Sequence, residues 1–392
     1  MPSYQEVVIV DFKTEAPCTE WRPSSTNGRQ VGADTDRVPV DLVGVRAAVG
    51  EVLDQHLGSR VREVTSLDPD CARELAERIV SFTLGGKRLR STLAWWGWLS
   101  GGGSTRGPKA RAALCAASAI EVLQTFALIH DDVMDSASTR RGEPSVHAAH
   151  AAEHRSLSHK GDPERYGESM AVLTGDLALA WADDLLHEAL DDLPTRREAH
   201  RVWRDMRTEV MVGQYLDLRS QARAERSVRT ALRTDRLKTA SYTVERPLHL
   251  GAVMAGAPPT TVAALRDYGV DVGVAFQLRD DLMDLYGDPS RTGKTPGEDL
   301  EQGKNTMLLA VGVDLAREGG DTAALELLER VGDAPVDTGE VAHVLERLGA
   351  RDLVRRRCRA LADQGMAHIA LLDLDPAVRD GLVGFADIAA RS

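Results

Sequence analysis

The chain is short of aromatic residues, cysteine and positive charge. Of its 392 residues only 4% are aromatic, and Ala, Leu, Glu and Arg dominate the periodic segments, a composition that favours helices. Cysteine occurs four times, at Cys18, Cys71, Cys115 and Cys358, without CxxC or Cys/His ligand spacing. That pattern implies neither a disulfide scaffold nor a zinc site, and a reduced, cytoplasmic setting fits. A formal net charge of −12 argues against a nucleic-acid binder, which carries a basic surface. No basic and apolar signal is visible in MPSYQEVVIVDFKTE, and no charge-free apolar run is long enough to span a bilayer. The most apolar segment, 112–129, carries Glu121 and reads as a core helix.

What the chain has is helical periodicity, from Val40 onward. Residues 1–39 mix Pro, Ser, Thr, Gly and charge without period and read as a flexible extension, its VVIV at most a short strand. Residues 40–392 form one domain, expected to be an all-α bundle because no stretch gives a convincing strand ladder.

That domain is organised around Phe126–Asp135, FALIHDDVMD. On a helix Asp131 and Asp135 are i and i+4 neighbours, with Asp132 beside them, and three carboxylates this close repel unless a cation sits between them. Hard oxygen ligands on a half-open helix face suit Mg²⁺, which takes one or two carboxylates and completes its shell with water and substrate phosphate. One such cluster is usually a solvated face. A second copy, FQLRDDLMD with Asp280, Asp281 and Asp284, follows 149 residues later, and two equivalent helices facing each other across a cavity explain the repetition.

Basic residues stand where a diphosphate bound to such ions would need them. Gly85-Gly86 breaks a helix before Lys87, Arg88 and Arg90, where the backbone can approach an anion and the cations can hold it. Arg140 and Arg141 follow the first carboxylates, and Lys238-Thr239 lies on a later helix that Pro247 must kink or end. Gln214 and Asp217 are one turn apart. Residues 287–303, a stretch rich in breakers containing Lys294 and followed by Lys304, read as a lid that closes over phosphate and excludes water. Residues 147–167, rich in histidine, read as a solvated loop, and Asp183-Asp184 as surface or interface.

The ordered set GGKRLR, DDVMD-x4-RRG, KTASYT, FQLRDDLMD and GKTPGEDLEQGKNT resembles the trans-polyprenyl diphosphate synthases over roughly residues 40–392. The resemblance implies the isoprenoid-synthase fold, a mostly antiparallel helix bundle around a deep central cavity, usually a homodimer. It implies joining of isopentenyl diphosphate to an allylic diphosphate (dimethylallyl, geranyl or farnesyl) with three Mg²⁺ per site. By it, Asp131, Asp132 and Asp135 hold two ions, and Asp280, with Asp284 nearby, the third. Asp281 completes the second motif. Arg140, Lys238 and Lys294 grip the allylic diphosphate with Gln277 beside it; Lys87, Arg90 and Arg141 bind isopentenyl diphosphate; Gln214 and Thr239 line the reacting carbons. Leu123, Phe126 and Ala127 mark where the growing tail descends, an aromatic at 126 being the kind of residue that acts as a floor in the family, and the short acidic motif, with no two-residue insertion, resembles geranylgeranyl synthases of the archaeal type. C20 is the expected product and C15 its nearest competitor.

Two positions depart from the family pattern: Gln124 stands where many members have a His that touches isopentenyl diphosphate, and Ser91 replaces a Pro. Two rival readings are a class I terpene cyclase, which would lack GGKR and the second DDxxD, and a non-catalytic partner subunit, which intact carboxylates oppose.

Overall fold

The computed structural model describes residues 37–288 and 296–391. Helix α1 (Leu42–Leu67) starts where Asp41 accepts a hydrogen bond from the Gly44 N–H at 2.9 Å. The short α2 (Pro69–Cys71) and a π-helical turn, Ala72–Ala76, lead into α3 (Glu77–Leu84), which stops at Gly85. Helix α4 (Leu89–Ser100) buries Trp95, Trp96 and Trp98. The Trp95 and Trp96 Nε1–H groups donate to the carbonyls of Pro39 and Val40, and Val38 N–H donates to Thr105. The last residues of the stretch expected to be flexible are thus tied to the bundle, and its VVIV lies outside the described residues.

Helix α5 (Pro108–Met134) is the central strut, 27 residues and roughly 40 Å long at 1.5 Å per residue. By length and composition it could cross a membrane, yet 72% of its apolar window is buried inside the bundle. It packs against α7 (Pro163–Leu190), which also carries α6 (Val146–Ser156). Helices α8 (Arg196–Ala222) and α9 (Val228–Thr234) then lead into a long π-helical segment, Asp235–Glu245. An α-helix resumes directly as α10 (Arg246–Ala255), with Pro247 as its second residue, where the ring removes one backbone donor at the junction with the π segment. Helix α11 (Pro259–Tyr286) crosses the bundle as the second long strut, packed against the π segment and α16 (Ala350–Ile369). The short α12 (Glu298–Glu301), then α13 (Met307–Gly319), α14 (Thr322–Glu329), α15 (Thr338–Arg347) and α17 (Pro376–Ala390) complete one contiguous apolar core. Cys71, Cys115 and Cys358 are free thiols.

The all-α expectation holds, with three local corrections. A two-residue hairpin, β1 (Thr139–Arg140) against β2 (Glu143–Pro144), follows the first acidic motif. Its turn residues, Arg141 and Gly142, both have positive φ, the geometry of a two-residue hairpin turn. The histidine-rich stretch is largely helical: His150 and His154, one turn apart on α6, are buried, and the His154 ring lies 4.9 Å from Tyr166. The expected lid contains α12, whose preceding Gly297 N–H donates to the Asp284 carbonyl at 2.9 Å. A Cβ on Gly213 of α8 would stand 2.4 Å from the Lys238 N, so only glycine lets α8 lie this close to the π segment.

Candidate active site

Both acidic motifs occupy the C-terminal turns of their helices, where the helix dipole is negative and carboxylates are unfavourable without cations. The structure supplies three around the first motif. The hairpin turns Arg140 back so that its Nε donates to Asp132 Oδ1 at 2.7 Å, while its Nη2 reaches Asp132 and, at 3.4 Å, Asp131. The π segment delivers Lys238, whose Nζ lies 3.2 Å from Asp131 Oδ1 and 2.7 Å from Asp217 Oδ2 on α8. Lys304, beyond α12, lies 3.1 Å from Asp135 and 3.3 Å from Asp299.

Through Lys304 the first motif meets the second. Asp299, which shares the lysine with Asp135, donates its N–H to Asp284 Oδ2 at 3.3 Å. Asp281 points inward and accepts from Gln277 Nε2 at 2.8 Å, whereas the more exposed Asp280 pairs with Arg279 at 3.3 Å. Asp235, at the head of the π segment, is buried close enough to Asp217, Asp299 and Asp281 for their charges to act on it. Acidic groups from α5, α8, the π segment, α11 and α12 therefore converge on one region.

The electrostatics follow. Burial raises the Asp132 carboxyl to about 6 against the pull of Arg140. Burial also raises Asp135, with Lys304 opposing it. Burial alone would raise Asp131, but Lys238, Lys304 and Arg140 hold it below the usual carboxylate range. Asp235 is pushed up to about 8 by burial and then by Asp217 and Asp299; Asp281 rises well above its ordinary value by burial, Asp235 and Asp299. Burial would lower Lys304, yet Asp299, Asp135, Asp217 and Asp131 together drive it higher.

Among the described residues no three carboxylate or imidazole side chains sit at ready-made metal-ligand spacing, because the lysines and Arg140 stand between them. The donor set still fits a hard divalent ion. Asp132 Oδ2, Asp135 Oδ1, Asp235 Oδ2 and Asp281 Oδ2 are buried without hydrogen-bond partners, acceptors that a cation would satisfy.

A second basic group flanks the first motif. Arg88, with left-handed φ of 56°, turns into the protein, where its guanidinium donates to the carbonyls of Thr83 and Leu84. Arg90 lies over the Tyr242 ring at 4.7 Å and donates to Thr243 Oγ1 at 2.8 Å. Arg141 donates to the Phe82 carbonyl at 3.2 Å, beside Gly85, so both arginine-bearing motifs border one turn. The departure at Ser91 has a physical role: its N–H and hydroxyl both donate to the buried Glu121 Oε1, at 3.1 and 2.9 Å. The buried Gln124 Oε1 and Gln214 Nε2 have no partner. Thr239 is half-buried on the π segment, and Lys87 is exposed in the glycine turn. Lys294 lies outside the described residues.

Below the first motif, Leu123 is fully buried, Ala127 packs partly buried against the core, and Phe126 meets the His130 ring edge-on at 4.8 Å. Sequence reasoning missed Asp235 and Asp299 and made little of Asp217. The one signal for Asp217 was its spacing from Gln214; the other two acquire meaning only when separate elements meet.

The sequence pattern of the polyprenyl synthetase family matches residues 72–348. A short chain isoprenyl diphosphate synthase of Methanothermobacter thermautotrophicus is 30% identical over 80% of this chain and 87% of its own length. A (2E,6E)-farnesyl diphosphate synthase of Mycobacterium bovis is 30% identical over 68% of this chain and 70% of its own. Among solved structures, a geranylgeranyl pyrophosphate synthase of Corynebacterium glutamicum, complexed with isoprenyl diphosphate and magnesium, superposes with a TM-score of 0.84 and 37% identity. That superposition covers 90% of this chain and 99% of the other.

Proposed function

From its membership of the polyprenyl synthetase family, which makes this chain a trans-prenyl diphosphate synthase, we propose that geranylgeranyl diphosphate is its main product. The observation that carries the site assignment is the Lys304–Asp299 link: Lys304 pairs with Asp135 of the first motif and with Asp299, whose N–H donates to Asp284 of the second. Asp131, Asp132 and Asp135 would hold two of three Mg²⁺, and Asp280 with Asp284 the third; the unpartnered carboxylate oxygens at Asp132 and Asp135 support this reading. The chemistry supplied by Mg²⁺ when bound is neutralisation of the charge that builds on the diphosphate as the allylic carbon–oxygen bond breaks.

The chain's own residues do the rest. Arg140 and Lys238 grip the allylic diphosphate, with Gln277 beside it, and Lys304 screens the carboxylates between the two motifs. Lys87, Arg90 and Arg141 hold isopentenyl diphosphate, and Gln124 contributes an amide donor. Gln214 and Thr239 line the reacting carbons. The isopentenyl double bond attacks the allylic carbon as diphosphate departs, and a proton is then lost to that diphosphate, so no side-chain base is required. Phe126 sets the floor of the tail path. A homodimer through α7 and α8 is supported by the exposed Val172, Leu173, Met211, Val212 and Tyr215 on helices linked by Trp203 Nε1–H donating to Asp183 at 2.7 Å.

Incubation with Mg²⁺, isopentenyl diphosphate and each allylic starter, with products separated by chromatography, tests the proposal. C20 diphosphate from all starters is expected. Elongation stopping at C15 would make the chain a farnesyl diphosphate synthase, and turnover only after a second subunit is added would make it a partner subunit.

A further inference from the structure

A cleft of about 300 Å³ lies between the C-terminal turns of α8 and the outer face of α9, outside the acidic site. Arg219 stands on one side and Arg229 and Arg233 on the other, with Leu216 and the hydroxyl-bearing Ser227 and Thr230 between them. None of the three arginines forms an ion pair with a described residue, although elsewhere on this acidic chain arginines such as Arg60, Arg78, Arg207 and Arg246 are paired. Arg229 and Arg233 are i and i+4 neighbours on α9, a like-charge pair that destabilises a helix unless an anion lies between them. Among the described residues of the wall the only carboxylate, Glu225, is engaged by the Thr230 hydroxyl. Arg226 nearby is occupied by the carbonyls of Gly303 and Val331.

We propose that this cleft is a second site for a diphosphate group, independent of divalent ions. Three planar guanidiniums offer more paired donors than a carboxylate can accept, and they match the several oxygens of a diphosphate. Three arginine charges against one Glu225 leave a local positive surplus on a chain of net charge −12. The site adjoins the catalytic region on two sides. Leu216 precedes Asp217, the partner of Lys238, and Ser227 accepts a hydrogen bond at 3.1 Å from Asn305, the residue after Lys304. The occupant is either free diphosphate or the head of an isoprenyl diphosphate.

Arginine modification by phenylglyoxal, read residue by residue by mass spectrometry on the full chain in EDTA, tests this. Inorganic diphosphate at ten times its Kd should slow labelling of Arg229 and Arg233 ~10-fold. Equal protection by isopentenyl diphosphate would show that the head group suffices; protection by free diphosphate alone would identify the released product as occupant. In equilibrium dialysis with EDTA, the Arg229→Gln/Arg233→Gln variant should lose one bound diphosphate per chain relative to wild type while keeping its fold by circular dichroism. Labelling unchanged in both arms, or undiminished stoichiometry in the variant, overturns the assignment.

Discussion

Ser91 ties the glycine turn to α5 through Glu121, and removing its hydroxyl isolates that tie. Ser91→Ala keeps the N–H bond to Glu121 and loses the hydroxyl bond, at a cost of about 1 kcal/mol. The turn carrying Lys87 and Arg90 should loosen, raising KM for isopentenyl diphosphate ~5-fold with the allylic KM unchanged; steady-state kinetics that show both constants unmoved would remove the link. Asp132 makes a pH prediction. Its carboxyl, raised to about 6 by burial, is protonated below that value in the folded, metal-free chain, whereas in the unfolded chain it ionises near 4. Between those values the folded state binds the extra proton, so its contribution to stability declines as pH rises through the window. An ion must displace that proton, so Mn²⁺ affinity, followed by electron paramagnetic resonance, should fall ~10-fold per pH unit below about 6. Equal affinity at pH 5 and 7 contradicts the assignment. At this scale the motif aspartates were legible because their spacing repeats. Asp235 and Asp299 were not, because an acid on a polar stretch looks like solvated surface until folding sets it beside other carboxylates.

Helix α5 joins chemistry to product length, since one face carries Asp131 and Asp135 and the turns below carry Leu123 and Phe126. Phe126→Ala should lengthen the product by at least one isoprene unit, read by reversed-phase chromatography. The deletion removes a buried ring and should also destabilise the fold by ~3 kcal/mol, so a product distribution identical to wild type from folded protein would take the floor away from Phe126. The long helices were readable because apolar periodicity, Gly85 and the Pro residues of first turns are local signals. The hairpin was not, because two-residue strands have no alternation to detect. Helix α6 was read as a loop because polar histidines hid its period, and the tight approach of α8 to the π segment depends on Gly213, whose partner lies 25 residues away.

The molecule as a whole places two long struts, α5 and α11, so that Lys304 and Asp299 link the carboxylates at their C-terminal turns. The exposed apolar side chains of α7 and α8 give it a second consequence. Tyr215, 58% exposed, and Leu173, 54% exposed, should support a dimer, so Leu173→Glu/Tyr215→Glu should elute as a monomer by light scattering and lose activity; a wild-type mass would assign that surface elsewhere. The overall architecture was legible from two motifs and their helical settings, while the bridge between them, Lys304 with Asp299, emerges only from the folded chain. The most direct test of the central claim is anomalous scattering from Mn²⁺ in crystals grown with a non-cleavable allylic diphosphate analogue. The account predicts ions within about 2.2 Å of carboxylate oxygens from both Asp131–Asp135 and Asp280–Asp284 around one diphosphate. Ions at one motif alone, with the other turned to solvent, would contradict it.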